Sequence, residues 1–286
     1  MDRLNNYYRL TKPGIIYGNL MYAAAGFLLA AKGDVYFWLL AETLAGISLV
    51  IASACVYNNY LDRGIDARML RTKKRALVSG RISNLSALAY ASVLGILGFY
   101  ILALFTNWLV FIAGAMAFIL YLFIYGYVKR RSKYGTLVGT IPGAMPPVAG
   151  YLAVTNQVDA AAGILFLILV FWQIPHFYSI SMYRFKDYKN AEVPVLSVKS
   201  GLPAAKRQTM IYILAFILAA CGLSVFGYTG YIYLTAALLL GFFWLFKGLE
   251  KQDAKNYELW GKKMFLTSLI ISLGISLSIA FGSLLP

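Results

Sequence analysis

Asn58, Asp62 and Asp66 stand four residues apart in NNYLDRGIDARMLRTKKR, residues 58 to 75. On a helix, successive members of such a series are offset by about 40° and rise by about 6 Å, so all three occupy one stripe. An amide oxygen and two carboxylates form a hard donor set. It suits Mg²⁺, which takes one or two carboxylates, keeps several waters and completes its shell with substrate phosphate oxygens. Arg68, Arg71, Lys73, Lys74 and Arg75 follow directly, and their charges would hold the rest of a diphosphate. The plainer reading is a solvated basic loop in which the aspartates pair with nearby arginines. The stripe begins at the end of an apolar segment, however, where ionisable groups are costly, and this favours a metal-diphosphate site.

A second polar cluster occupies WQIPHFYSISMYRFKDYKNAEVP, residues 172 to 194, and contains the only histidine of the chain, His176. If one helix continues through it, Trp172, His176, Tyr183 and Asp187 fall on one stripe within about 40° of His176. Pro175 removes a backbone bond and is expected to kink the helix beside the imidazole. Alone in an apolar helix, a histidine serves most simply as an interhelical hydrogen-bond partner. The aromatics and the aligned aspartate argue for a ligand-facing role instead. Arg184, Lys186 and Asp187 offer a second phosphate clamp opposite the first, or an ordinary basic loop.

These residues need elements to carry them, and the composition dictates which. The chain has 286 residues, 60% hydrophobic and 13% charged, so a bilayer is its natural solvent. Apolar stretches near the roughly 20 residues needed to span hydrocarbon recur at 14 to 32, 36 to 59, 86 to 105, 107 to 128 and 135 to 155. Four more follow at 159 to 182, 208 to 227, 230 to 248 and 264 to 285. The expected fold is all-α and polytopic, with nine transmembrane helices in one membrane domain over residues 1–286. GTIPGAMPPVAGY lies within a spanning stretch and so predicts a kinked, closely packed helix rather than a loop. No short apolar core with a small-residue cleavage site precedes it, and the N-terminus is expected to be retained.

A formal net charge of +15 invites a nucleic-acid reading, but placement excludes it. On the nine-span arrangement every Lys and Arg except Lys32 falls on one face, the positive-inside pattern of a protein with a cytoplasmic N-terminus and an outer C-terminus. Lys129 and Arg130, after the fourth span, thereby join the candidate diphosphate-binding residues. Cys55 and Cys221 fall inside apolar spans and read as small core residues.

The ordered landmarks TKPGIIYGN (11 to 19), NNYLDRGIDARMLRTKKR, YGTLVGTIPGAMPPVAGY (134 to 151), WQIPHF (172 to 177) and YRFKDYKNAEVPVLSV (183 to 198) resemble the UbiA superfamily of intramembrane prenyltransferases. Within it they resemble the haem-directed branch. The resemblance implies that Asn58, Asp62 and Asp66 hold Mg²⁺ and, with Asp187, form the catalytic set. Arg71, Lys74, Arg75, Lys129, Arg130, Arg184 and Lys186 would bind diphosphate, and His176, Tyr183 and Trp172 would bind haem. It further implies farnesyl transfer to a vinyl group of haem B with haem B and farnesyl diphosphate as substrates, a prokaryotic plasma membrane, and haem A synthase or terminal-oxidase assembly factors as partners. Tyr183 stands where the second motif of many relatives has an aspartate, which puts a second metal in doubt, and Ala76 replaces a common proline. The competing readings are a superfamily member acting on a quinone precursor, a secondary transporter, and a non-catalytic haem-handling protein. Transporters place coupling charges near the midplane, whereas these carboxylates gather at the helix ends.

Overall fold

In hydrocarbon a chain segment must satisfy its own backbone polar groups, and the α-helix does so within one segment. The computed structural model describes residues 2–250 and 256–285, and nine helices long and apolar enough to cross a membrane are found among them. They are α1 (Pro13–Ala31), α2 (Phe37–Arg68), α3 (Asn84–Phe105), α4 (Trp108–Val128), α5 (Gly135–Thr155), α6 (Ala160–Tyr183), α7 (Leu202–Val225), α8 (Tyr231–Leu249) and α9 (Tyr257–Gly282). Shorter helices cover Asp2–Leu10, Phe185–Asn190 and Leu196–Lys199, and the described residues contain no strand. Lys251 and Lys255 of the α8–α9 connection lie outside the described residues.

Local chemistry sets many of the boundaries. Side-chain oxygens of Ser83, Asn107 and Asp159 accept backbone N–H bonds at the starts of α3, α4 and α6, filling donors that a helix leaves open. Pro13 and Pro203 sit in first turns, where the missing N–H costs nothing. The largest departure from the expected spans is α2, which runs on to Arg68 instead of stopping near residue 59. The stripe of Asn58, Asp62 and Asp66 is therefore part of a helix that projects beyond its apolar section.

Successive spans pack side by side, α9 returns against α1, and α1 also packs across the ring onto α5. Outward faces remain apolar, as with Ile96 and Leu104 of α3, Leu239 and Phe246 of α8, and Ile270 and Leu277 of α9, because lipid is no less favourable a neighbour than protein for such side chains. Tyr36, Trp38, Trp108 and Tyr231 are exposed at the start of α2, α4 and α8, where interfacial aromatics belong.

At the α1–α5 crossing the two helices approach closely. A Cβ on Gly26 would overlap the carbonyl of Pro147, and one on Gly150 would overlap the carbonyl of Ala23. Backbones touch where a side chain would separate them. Just before this contact α5 breaks at Ala144 into Gly135–Gly143 and Met145–Thr155. Prolines 142, 146 and 147 surround the break, in keeping with the kink expected there. α4 contains a π-helical section, Leu120–Tyr125, a local widening that proteins often place at working sites.

Gly150→Ala is expected to destabilise the bundle by about 1–3 kcal/mol through overpacking, read as a lower thermal midpoint in detergent. Gly163→Ala, where an added Cβ meets nothing within 4 Å, should leave the midpoint unchanged.

Candidate active site

The helical extension of α2 cannot stand in water unsupported, and its surroundings explain its position. The Asp2–Leu10 helix and the segment after α2 bury Leu10, Val56, Ala76, Leu77 and Ile82 in one apolar cluster. Asn59 Nδ2 donates to the carbonyl of Leu10 at 2.8 Å, and Thr72 Oγ1 donates to the carbonyl of Asp66 at 2.9 Å. This fold-back brings Arg75 onto Asp66, with Nη1 donating to Oδ2 at 2.6 Å and to Asn59 Oδ1 at 3.2 Å.

Asp62 is held from another helix. Lys129 Nζ, just past the end of α4, donates to Asp62 Oδ2 and Asn58 Oδ1, both at 2.6 Å. Arg130 Nη2 donates to Asp62 Oδ1 at 3.0 Å and to the carbonyl of Leu61 at 2.8 Å. The Lys129 and Asp62 side chains are 13% and 14% exposed, and that of Asp66 is 7%. Burial pulls the Lys129 ammonium below the ordinary lysine range, against the opposing pull of Asp62.

Asn58, Asp62 and Asp66 line one end of a cavity of about 600 Å³ lined mainly by α1, α2, α4, α5, α6 and α9. Arg71, Arg75 and Lys129 line the same end, together with Lys12, Lys133 and Tyr188. Lys12 adopts a left-handed backbone, φ 55°, immediately before Pro13, an uncommon conformation for a non-glycine residue. Burial lowers its ammonium from the usual range, and Arg75 adds to the effect. Tyr188 has its phenol raised by burial, against Arg71. Farther in, Tyr121 and Tyr125 stack with ring centroids 5.4 Å apart in the π-helical section of α4, and both line the cavity. Ile47, Val50, Leu102, Val110 and Phe118 make an apolar wall, and Trp172, Gln173, His176 and Phe177 make another.

The second cluster is arranged differently from the expectation. α6 ends at Tyr183, Arg184 takes φ −106° and ψ 29°, and Phe185–Asn190 is a separate helix. A non-helical residue between the two breaks the stripe. Trp172 and His176 face the cavity, whereas Tyr183 and Asp187 are not among the residues lining it. The guanidinium of Arg184 lies 4.3 Å over the Tyr183 ring, and the exposed Lys186 sits 4.0 Å from Glu258. Lys74 is exposed, and its carbonyl accepts a bond from Arg81. Arg130 reaches the site through Asp62 rather than through the cavity wall. Tyr188, one residue past Asp187, is the member of that segment that lines the cavity.

The profile of the UbiA prenyltransferase family matches residues 19–270. The chain belongs to the UbiA prenyltransferase family. A protoheme IX farnesyltransferase of Edwardsiella ictaluri is 48% identical over 282 residues, covering 98% of this chain and 95% of that protein. One from Serratia proteamaculans is 46% identical over 283 residues, covering 98% and 96%. Among solved structures, a digeranylgeranylglyceryl phosphate synthase superimposes with a TM-score of 0.80 at 18% identity, covering 99% of each chain. A UbiA homologue from Archaeoglobus fulgidus bound to DMAPP and Mg²⁺ superimposes with a TM-score of 0.69 at 17% identity, covering 93% of this chain and 98% of that one. These likenesses establish the UbiA fold.

The donor set can be tested against the divalent metal this family implies. Among the described residues no group of three or more His, Cys, Asp and Glu side chains converges, so these residues form no cage of that kind. Two carboxylates and an amide oxygen on one helix, opening into a cavity, fit a Mg²⁺ that keeps waters and takes phosphate oxygens. Lys129 bridging Asn58 and Asp62 shows that a cation is accommodated between these two oxygens.

Lys129→Ala strands Asp62 beside a single arginine and is expected to cost about 1.5–3 kcal/mol. In thermal unfolding, the double variant with Asp62→Ala should lose less than the sum of the single losses. Strict additivity would contradict the bridge.

Proposed function

We propose that this chain transfers the farnesyl group of farnesyl diphosphate to a vinyl group of protohaem IX, releasing diphosphate and making haem O. The observation that carries the reading is a single cavity with Asn58, Asp62 and Asp66 at one end and Trp172 and His176 on its wall. The relatives bearing the farnesyltransferase name, 46% and 48% identical over nearly the whole chain, support the choice of acceptor.

In this proposal Asn58, Asp62 and Asp66 would hold Mg²⁺, whose charge would offset that of the departing diphosphate. Arg71, Arg75, Lys12 and Lys129 take up the remaining negative charge, an arrangement worth most where water is excluded. The apolar wall around Val50, Leu102 and Phe118 accommodates the prenyl chain and keeps water from the allylic cation. Tyr121 and Tyr125 line the same cavity, and an aromatic ring beside the cation would favour its positive charge. The terminal vinyl carbon of haem attacks the cation, and water then adds to the inner carbon with loss of a proton. His176 faces the haem as an axial ligand or hydrogen-bond partner. The basic end of the bundle is assigned to the cytoplasm of a bacterial cell by the positive-inside pattern. From there the product would pass to an enzyme that consumes haem O, such as haem A synthase, or to terminal-oxidase assembly factors.

Purified protein incubated with haem B, farnesyl diphosphate and Mg²⁺ should yield a hydroxyethylfarnesyl haem by mass spectrometry. No haem-dependent product, with prenylation of a quinone precursor instead, would reassign the acceptor. Asp62→Ala is expected to reduce Mg²⁺-dependent diphosphate release by about 10²-fold or more, and unchanged release would remove the stripe from the mechanism.

A further inference from the structure

His176 is tied to α9 by a pair of bonds whose direction can be worked out. Its Nδ1 lies 2.7 Å from the hydroxyl oxygen of Ser268, and that oxygen lies 2.6 Å from the backbone carbonyl of Phe265. A carbonyl oxygen brings only lone pairs to a contact, so the single hydroxyl hydrogen of Ser268 points to Phe265. The Ser268 oxygen then has only lone pairs left for the imidazole, and the hydrogen between them belongs to Nδ1. In a neutral imidazole the other nitrogen, Nε2, must carry the lone pair. Nε2 has no hydrogen-bond partner among the described residues, and it is not among the sealed, unpartnered buried atoms. Since His176 lines the cavity, that lone pair has the cavity to address.

The ring is also fixed in orientation. Trp172 stacks on it with centroids 4.7 Å apart and planes inclined by 23°, and the Trp172 indole N–H donates to the Ser268 carbonyl at 2.9 Å. Phe265, which receives the serine hydroxyl, places its own ring 5.2 Å from the imidazole. Trp172 on α6 and Phe265 and Ser268 on α9 thus hold one ring by its face, its flank and its nitrogen.

We infer that Ser268 is a positioning residue, which fixes His176 as the Nδ1–H tautomer and turns the Nε2 lone pair toward an electron-pair acceptor in the cavity. The acceptor is the iron of a haem, or a hydrogen-bond donor on its rim, and this identification rests on the proposed function. A ligating imidazole ordinarily has its far nitrogen bonded to a group that sets its tautomer, and loss of that group weakens metal affinity about 10- to 100-fold. The Phe265 carbonyl and the Ser268 hydroxyl supply that group here.

Because the chain contains one histidine, ¹⁵N-histidine labelling of the full protein in nanodiscs reports this ring alone. The haem-free protein should show a proton on Nδ1 and an unprotonated Nε2. The opposite tautomer, or an even mixture, would overturn the inference. Ser268→Ala should mix the tautomers and weaken binding of added haem B about 10-fold or more, while Ser268→Thr, which keeps the hydroxyl, restores both. A Ser268→Ala protein with the wild-type tautomer and affinity would also overturn it. Should that variant not fold, the wild-type and threonine spectra still decide. A haem spectrum unchanged in His176→Ala would remove haem as the acceptor, and the tautomer seen without haem would continue to test the role of Ser268.

Discussion

Carboxylates at the end of a membrane helix are tolerated only while something neutralises them, and the arrangement of the basic end follows from that demand. Asp62 accepts from Lys129 and Arg130 of the α4–α5 connection, and Asp66 accepts from Arg75 of the α2–α3 connection. Each bond ties a loop to the projecting part of α2. A surface pair of this kind contributes little, but these side chains are mostly buried, and a buried charge left alone is far more costly than the pair is stabilising. The ion pairs therefore specify position more than they add stability. They require α4 to end beside α2 and the segment after Arg68 to fold back.

The rest of the bundle keeps a chamber open above that end. Side chains pack tightly in most protein interiors, so an internal space of about 600 Å³ needs a framework that does not collapse into it. The contact of α1 with α5 at Gly26 and Gly150 supplies one, since two backbones in contact cannot approach further. The break in α5 at Ala144 and the π-helical section of α4 displace backbone around the chamber. Pro142, Gly143, Met145 and Pro146 at the break, and Tyr121 and Tyr125 in the widened section, line the space that results.

Much of this was legible in the residues. Nine apolar stretches and one basic face give the framework because solvation in lipid leaves few choices. The four-residue spacing of Asn58, Asp62 and Asp66 gives a shared helical face wherever the helix ends, and His176 draws notice as the lone imidazole in an apolar run. Four things were hidden. Hydropathy ends α2 where charge begins, near residue 59, but backbone hydrogen bonding does not, and the helix continues to Arg68. The stripe through Asp187 assumed an unbroken helix, and the turn at Arg184 leaves Tyr188 at the cavity instead. Lys129 bridges Asn58 and Asp62 from about seventy residues away, a pairing created by the packing of α4 on α2 and by nothing local. Tyr121 and Tyr125 were readable as an i, i+4 aromatic pair, though the π-helical section that presents them was not.

The charge of the chamber end has a consequence for how it works. Lys12, Arg71, Arg75, Lys129 and Lys133 line it and Arg130 adjoins it, against the two carboxylates of Asp62 and Asp66. Six basic groups facing two acidic ones repel one another, and the lowered affinity of Lys12 for its proton, with burial and Arg75 as contributing causes, is one expression of that. Such a surplus is relieved by an anion of several charges, and the proposed diphosphate supplies one. The cost of assembling like charges is then borne by the protein in advance of the reaction, as a preorganised site requires. An arrangement that needed only to anchor α2 would be balanced by its own two pairs. The excess beyond them, gathered on the wall of the cavity, is what the proposed leaving-group site adds to a set of structural salt bridges.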